Sequence, residues 1–144
     1  MKIGASLANG FALRRKRRPP LAPQEWQARA FTALAHVVLT RAGNSRKDAG
    51  ERLNSWTMLH RLMDPKSKLG VFSFHTWKEQ HRFPLAVESW RKEFEKGSVS
   101  DFEALTLYRQ WKVEIDGRKD SPEQLIELAN ALLASAVRAT VIGK

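Results

Sequence analysis

The stretch that most narrows the fold is Ser121–Val137. Ser121-Pro122-Glu123-Gln124 joins a hydroxyl N-cap, a proline at the first helical position and a glutamine three residues after the serine. Such a glutamine folds back onto the cap, which makes the four residues a helix start. Behind it Leu125, Leu128, Ala129, Leu132, Leu133, Ala136 and Val137 recur at three- and four-residue intervals. That spacing lays one apolar stripe along a helix of 3.6 residues per turn. A striped helix is stable only when its stripe is covered, so the rest of the chain must supply covering elements.

It supplies more helices. Pro23 to Ala42 places Trp26, Ala30, Phe31, Leu34, Val37 and Val38 at helical spacing, and Gly43 ends the run. Asn44 and Ser45 open a second helix, with Asp48 in a capping-box position and Ala49, Leu53, Trp56, His60 and Met63 on one face. Asp64-Pro65 stops it. Residues 65–83 begin as a loop and are expected to end as a short helix from Thr76 to about Arg82. Pro84 starts a further helix with Leu85, Ala86, Trp90 and Phe94 inward and Gly97 at its end. Ser100-Asp101-Phe102-Glu103 reads as a capping box for a helix whose face is Ala104, Leu107, Tyr108, Trp111 and Ile115. No strand pair and no internal repeat is visible. The expected class is all-α: a single compact domain of five to six helices over residues 23–144, orthogonal or bundle-like, preceded by a flexible basic N-terminal arm, residues 1–22.

Charge separates that arm from the body. The formal net charge is +10. Residues 1–22 hold six Lys/Arg and no acid, residues 23–82 hold ten against five, and residues 83–144 hold nine against ten. Within the arm, LRRKRRPP sets Arg14, Arg15, Lys16, Arg17 and Arg18 side by side before Pro19 and Pro20. No core accepts five adjacent charges, and a helix would scatter them around its circumference. On an extended segment each can neutralise one phosphate and release its counterions, and the guanidinium fork matches phosphate bidentately. The expected ligand is therefore nucleic acid, RNA or DNA, gripped by its backbone.

The second helix adds a polar stripe. Taken at 100° per residue, Arg46, Lys47, Asn54, Thr57 and Arg61 share one side with Gly50, and Gly50 would admit a phosphate backbone close to the helix. Lys66, Lys68, Lys78 and Arg82 continue the series. Phe72, Phe74, Trp77 and Phe83 lie between these basic residues, a pattern that suits stacking on bases or folding over the core. Ala42-Gly43-Asn44 is only a partial helix-turn-helix match, which favours sequence-neutral backbone binding.

The chemistry of an enzyme is thinly represented. The chain has no cysteine, so disulfides and thiolate metal sites are excluded. It lacks HExxH, a phosphate loop and a dinucleotide fingerprint, and its histidines do not cluster as metal ligands. No cofactor and no metal are expected. No apolar run approaches the ~18 residues of a membrane span, so no membrane association is expected. Arg29 and His36, seven residues apart on one helical face, resemble the R-x4–6-H pattern of HEPN-type RNases, which are small, all-α and usually dimeric. Ala30 stands where that family usually has a polar residue. The resemblance implies His36 as acid/base and Arg29 as stabiliser of phosphate charge.

The sequence thus favours a non-enzymatic nucleic-acid-binding protein acting as a small subunit of a larger nucleoprotein assembly. By architecture alone it is similar to the small helical subunits of CRISPR effector complexes or to phage and plasmid DNA-handling proteins. The C-terminal half is expected to pack the core, a protein partner or a second copy. A cytoplasmic location is expected, or a nuclear one in a eukaryotic or viral setting. The alternatives are a helical interaction module with a basic tail and a HEPN-like RNase.

Overall fold

Residues 32–39, TALAHVVL, are buried without exception, and the fold is organised around them. The computed structural model describes residues 22–59 and 82–142. Among these are five helices and no strand: α1 (Pro23–Arg41), α2 (Arg46–Leu59), α3 (Phe83–Lys96), α4 (Phe102–Gly117) and α5 (Pro122–Ile142). The all-α class expected from the sequence is the class observed.

α1 packs against each of the other four helices, most extensively against α5, and α2 also packs on α3. A helix enclosed on every side needs apolar residues on every side. In TALAHVVL the polar groups are satisfied internally: Thr32 Oγ1 donates to the Ala28 carbonyl at 2.7 Å, and His36 is bonded to two other helices. The stripe expected on α1 is therefore part of a fully buried stretch of about two turns, whereas Trp26 and Phe31 are only half-buried.

The helix ends follow the local code with one shift. Gly43 at φ 111° lets Asn44 N–H reach back to the Leu39 carbonyl and Gly43 N–H to that of Thr40, the glycine-dependent C-terminal motif. Gly97 at φ 74° does the same for α3 through Ser98 N–H and the Glu93 carbonyl. Ser45 Oγ accepts from Asp48 N–H. Ser121 and Gln124 complete both halves of the box that opens α5, at 3.2 and 2.9 Å. For α4 the cap is Asp101, whose Oδ1 accepts from Ala104 N–H at 2.9 Å, and not Ser100. Aspartate is as good a cap as serine, and the helix starts one residue later in consequence.

One inward assignment on the surface helices changes. Leu85 is 68% exposed, and Val87 and Phe83 fill the core in its place. Leu107 and Trp111 of α4 are half-buried, while Ala104, Leu105, Tyr108 and Ile115 are buried. The expected short helix ending at Arg82 falls on residues 60–81, outside the described residues apart from Arg82 itself, which serves as N-cap of α3.

Candidate nucleic-acid interface and the polar cluster beneath it

Arg46 and Lys47 form the first turn of α2, and Arg82 precedes α3; all three are exposed. They are the members of the expected basic set that the described surface presents. Asn54 is half-buried. Arg14, Arg15, Lys16, Arg17, Arg18, Arg61, Lys66, Lys68 and Lys78 lie outside the described residues, as do Phe72, Phe74 and Trp77. Phe83 is buried, in edge-to-face contact with Trp90 at 6.1 Å between centroids.

The centre of the α2 stripe faces protein. A Cβ placed on Gly50 would stand 2.9 Å from Cβ of Pro84 and 3.4 Å from its Cα. Gly50 is thus the point at which α3 approaches α2, and the space beside it is already filled. Thr57 is fully buried, its Oγ1 donating to the Asn54 carbonyl at 2.7 Å. A helical wheel places Gly50, Asn54 and Thr57 together correctly. It cannot say whether solvent or another helix lies opposite them, and Pro84, thirty-four residues away, decides that.

The charge balance of the folded part is informative. The described residues hold fourteen Lys/Arg against thirteen Asp/Glu. Nearly all of the +10 therefore belongs to residues 1–21, 60–81 and 143–144.

Arg29 and His36 are each occupied within the fold. The Arg29 guanidinium lies 5.6 Å from the Trp26 ring centroid and 4.9 Å from that of Trp90, in cation–π range of both. His36 is fully buried. Its Nδ1 is 3.1 Å from Arg91 Nη1, and its Nε2 is 3.0 Å from the Arg46 carbonyl. Arginine has donors and no acceptor, so Nδ1 accepts from Arg91 and the proton sits on Nε2, donating to Arg46. Burial, above all, pushes His36 below its ordinary value, and the Arg91 charge adds to this against the Arg46 hydrogen bond. A neutral imidazole with both nitrogens engaged and no solvent access does not meet a phosphodiester. The RNase-like placement of these two residues is thus taken up by packing.

The His36 contacts belong to a cluster that the sequence reading left out. Arg91, 9% exposed, also donates to Thr40 Oγ1 at 3.2 Å and pairs with Glu95 at 2.9 Å. Tyr108 of α4 donates to the same Glu95 oxygen at 3.4 Å, and its ring stacks on Phe94 at 5.0 Å. Burial raises Glu95, but the Arg91 hydrogen bond and charge outweigh it and hold the carboxyl below its ordinary value. Burial, reinforced by the Glu95 charge, pushes the Tyr108 hydroxyl well above its own. The cluster ties α1, α2, α3 and α4 together. Its trace in the sequence is Arg91 four residues after Val87 and His36 four residues before Thr40, each pair on one inward face.

A groove of about 560 Å³ runs between α2 and α5, floored by Leu39, Leu53 and Leu133 and rimmed by Asp48, Glu51 and Arg52. Phe102 and Val113 of α4 are 76% and 75% exposed. Among the described residues no group of three acidic or histidine side chains is placed to hold a metal ion, and no helix is long and apolar enough to cross a membrane. No family model matches the chain, and no curated protein or solved structure matches it significantly.

Proposed function

We propose that the protein binds nucleic acid through the phosphate backbone, without catalysis, as a small helical component of a nucleoprotein assembly. The observation that carries this reading is the uneven spread of charge along the chain. Five consecutive cations stand ahead of a helical body whose described residues are almost electrically neutral. Polyanion contact gains from such local charge density. Arg46, Lys47 and Arg82 offer secondary contacts on the body. Such a protein works where nucleic acid is, in the cytoplasm or, in a eukaryotic or viral setting, the nucleus.

The test is fluorescence anisotropy with labelled single- and double-stranded RNA and DNA over a salt series. It compares the full chain with a variant carrying glutamine at Arg14, Arg15, Lys16, Arg17 and Arg18. Loss of five phosphate contacts should flatten the slope of log affinity against log salt by about 3.5–4.5. An unchanged slope, or no binding at about 50 mM salt where such contacts are strongest, refutes the reading.

A second reading, a helical protein-interaction module with a basic tail, is favoured by one observation: Phe102 and Val113, about three turns apart on α4, are both exposed. If the glutamine variant keeps all partner binding while Phe102→Ser loses it, this second reading holds.

A further inference from the structure

His36 stands where three helices meet. It belongs to α1, holds the first turn of α2 through the Arg46 carbonyl, and receives the Arg91 guanidinium of α3. The Nδ1 lone pair is what makes room for that guanidinium in the interior. The charged groups around the imidazole are Arg46 from α2 and Arg91 and Glu88 from α3, with Glu95 of α3 bound to Arg91. From α4, Tyr108 and Lys112 act on Glu95. At neutral pH the inner pair, Arg91 and Glu95, is balanced.

We infer that His36 is an acid-triggered release for Arg91: a proton arriving at Nδ1 removes the acceptor, sets two cations face to face in the interior, and opens the joint between α1 and α3. The bond from Nε2–H to the Arg46 carbonyl survives protonation, so α2 stays attached while α3 moves. Glu95 does not neutralise the added charge, because it is already committed to Arg91. Thr40 offers the guanidinium only a neutral oxygen.

The direction follows from linkage. The closed joint disfavours the proton, while an open joint takes it up near histidine's ordinary 6.5. The closed form is therefore at full strength above that pH and weakens as pH falls below it. Between about pH 7.5 and about pH 5.5 the open-to-closed ratio rises, by up to about tenfold when the closed joint takes up no proton. This window lies above the range in which Glu95 takes a proton, since its carboxyl is held below 4.5.

Amide hydrogen exchange of the full chain tests the inference, after correction for the pH dependence of chemical exchange. The expected result is faster exchange, by up to about tenfold, in the Arg91–Glu95 turn of α3 at the lower pH, with α5 unchanged. If α3 and α5 lose protection in step, the effect is a general loss of stability and the joint is not a local device. If α3 does not respond, the inference is wrong. His36→Asn places a non-titrating oxygen near the Nδ1 position, and its α3 exchange should be flat with pH; a retained response overturns the assignment to His36. Should that variant fail to fold, the α3-against-α5 comparison in the unaltered chain still decides.

Discussion

Replacing Gly50 by alanine sets two well-measured effects against each other. Alanine in a helix interior is favoured over glycine by about 1 kcal/mol. If the α2 face at Gly50 were open for a phosphate backbone, Gly50→Ala would stabilise the protein by that amount and weaken nucleic-acid binding. The structure places the new methyl 2.9 Å from Pro84 Cβ, about 0.6–1 Å inside ordinary carbon–carbon contact. A proline ring has no rotamer by which to withdraw, and Pro84 sits in the first turn of α3. Relief therefore requires α3 to shift as a body, carrying the buried Phe83 and Val87 with it. Overpacking of this kind costs about 1–3 kcal/mol, which exceeds the helix-propensity gain. The expected net change is a loss of about 1 kcal/mol, or about 3–4 °C in Tm for a chain of this size. It is read from urea and thermal unfolding, with the nucleic-acid salt series unchanged. A variant about 1 kcal/mol more stable than the parent would refute the packing argument and restore Gly50 to an open surface.

Leu34→Ala should cost about 2–5 kcal/mol in urea unfolding, whereas Leu85→Ala should stay within about 0.5 kcal/mol; equal losses would contradict the inward and outward placement of these leucines. Asp101→Ala removes the α4 cap and should cost about 1 kcal/mol, while Ser100→Ala should cost almost nothing, which separates the two cap assignments. Arg91→Met strips Glu95, Thr40 and His36 of their common partner and should lower stability by about 2 kcal/mol at neutral pH. It should also abolish the acid response of α3 measured by amide exchange; a persistent response would mean that another group carries it.

Several features were legible because they are local. Ser121 and Gln124 bond each other as their spacing requires, and Gly43 and Gly97 adopt the positive φ that ends α1 and α3. Helical periodicity likewise identified Leu53, Trp90, Phe94, Tyr108 and Leu132 as inward-facing, and all are buried or nearly so. Where two neighbours compete on similar terms, as Ser100 with Asp101 or Leu85 with Val87, periodicity leaves the choice to within about one residue. Packing against α1 makes that choice.

The candidate site divides in the same way. The block Arg14–Arg18 is legible because charge density is a property of sequence, and it carries the functional proposal. The stripe on α2 was only half legible. Residues that share a face are fixed by the 100° step of the helix, but what that face meets depends on a helix that starts more than thirty residues later. Arg29 and His36 show the same limit: their spacing fits a catalytic pair, and the fold spends one on two indole rings and the other on Arg46 and Arg91.

The sequence by itself determined the all-α class, most of the described helix ends and the uneven spread of charge along the chain, because each follows from hydrogen bonds, dihedrals or charges within a few residues. Only the tertiary structure decided that α1 is enclosed by the other four helices, that Gly50 receives Pro84, and that His36 is a neutral acceptor for a buried arginine. Those outcomes depend on which surfaces exclude water from one another, and that is settled between helices far apart in the chain.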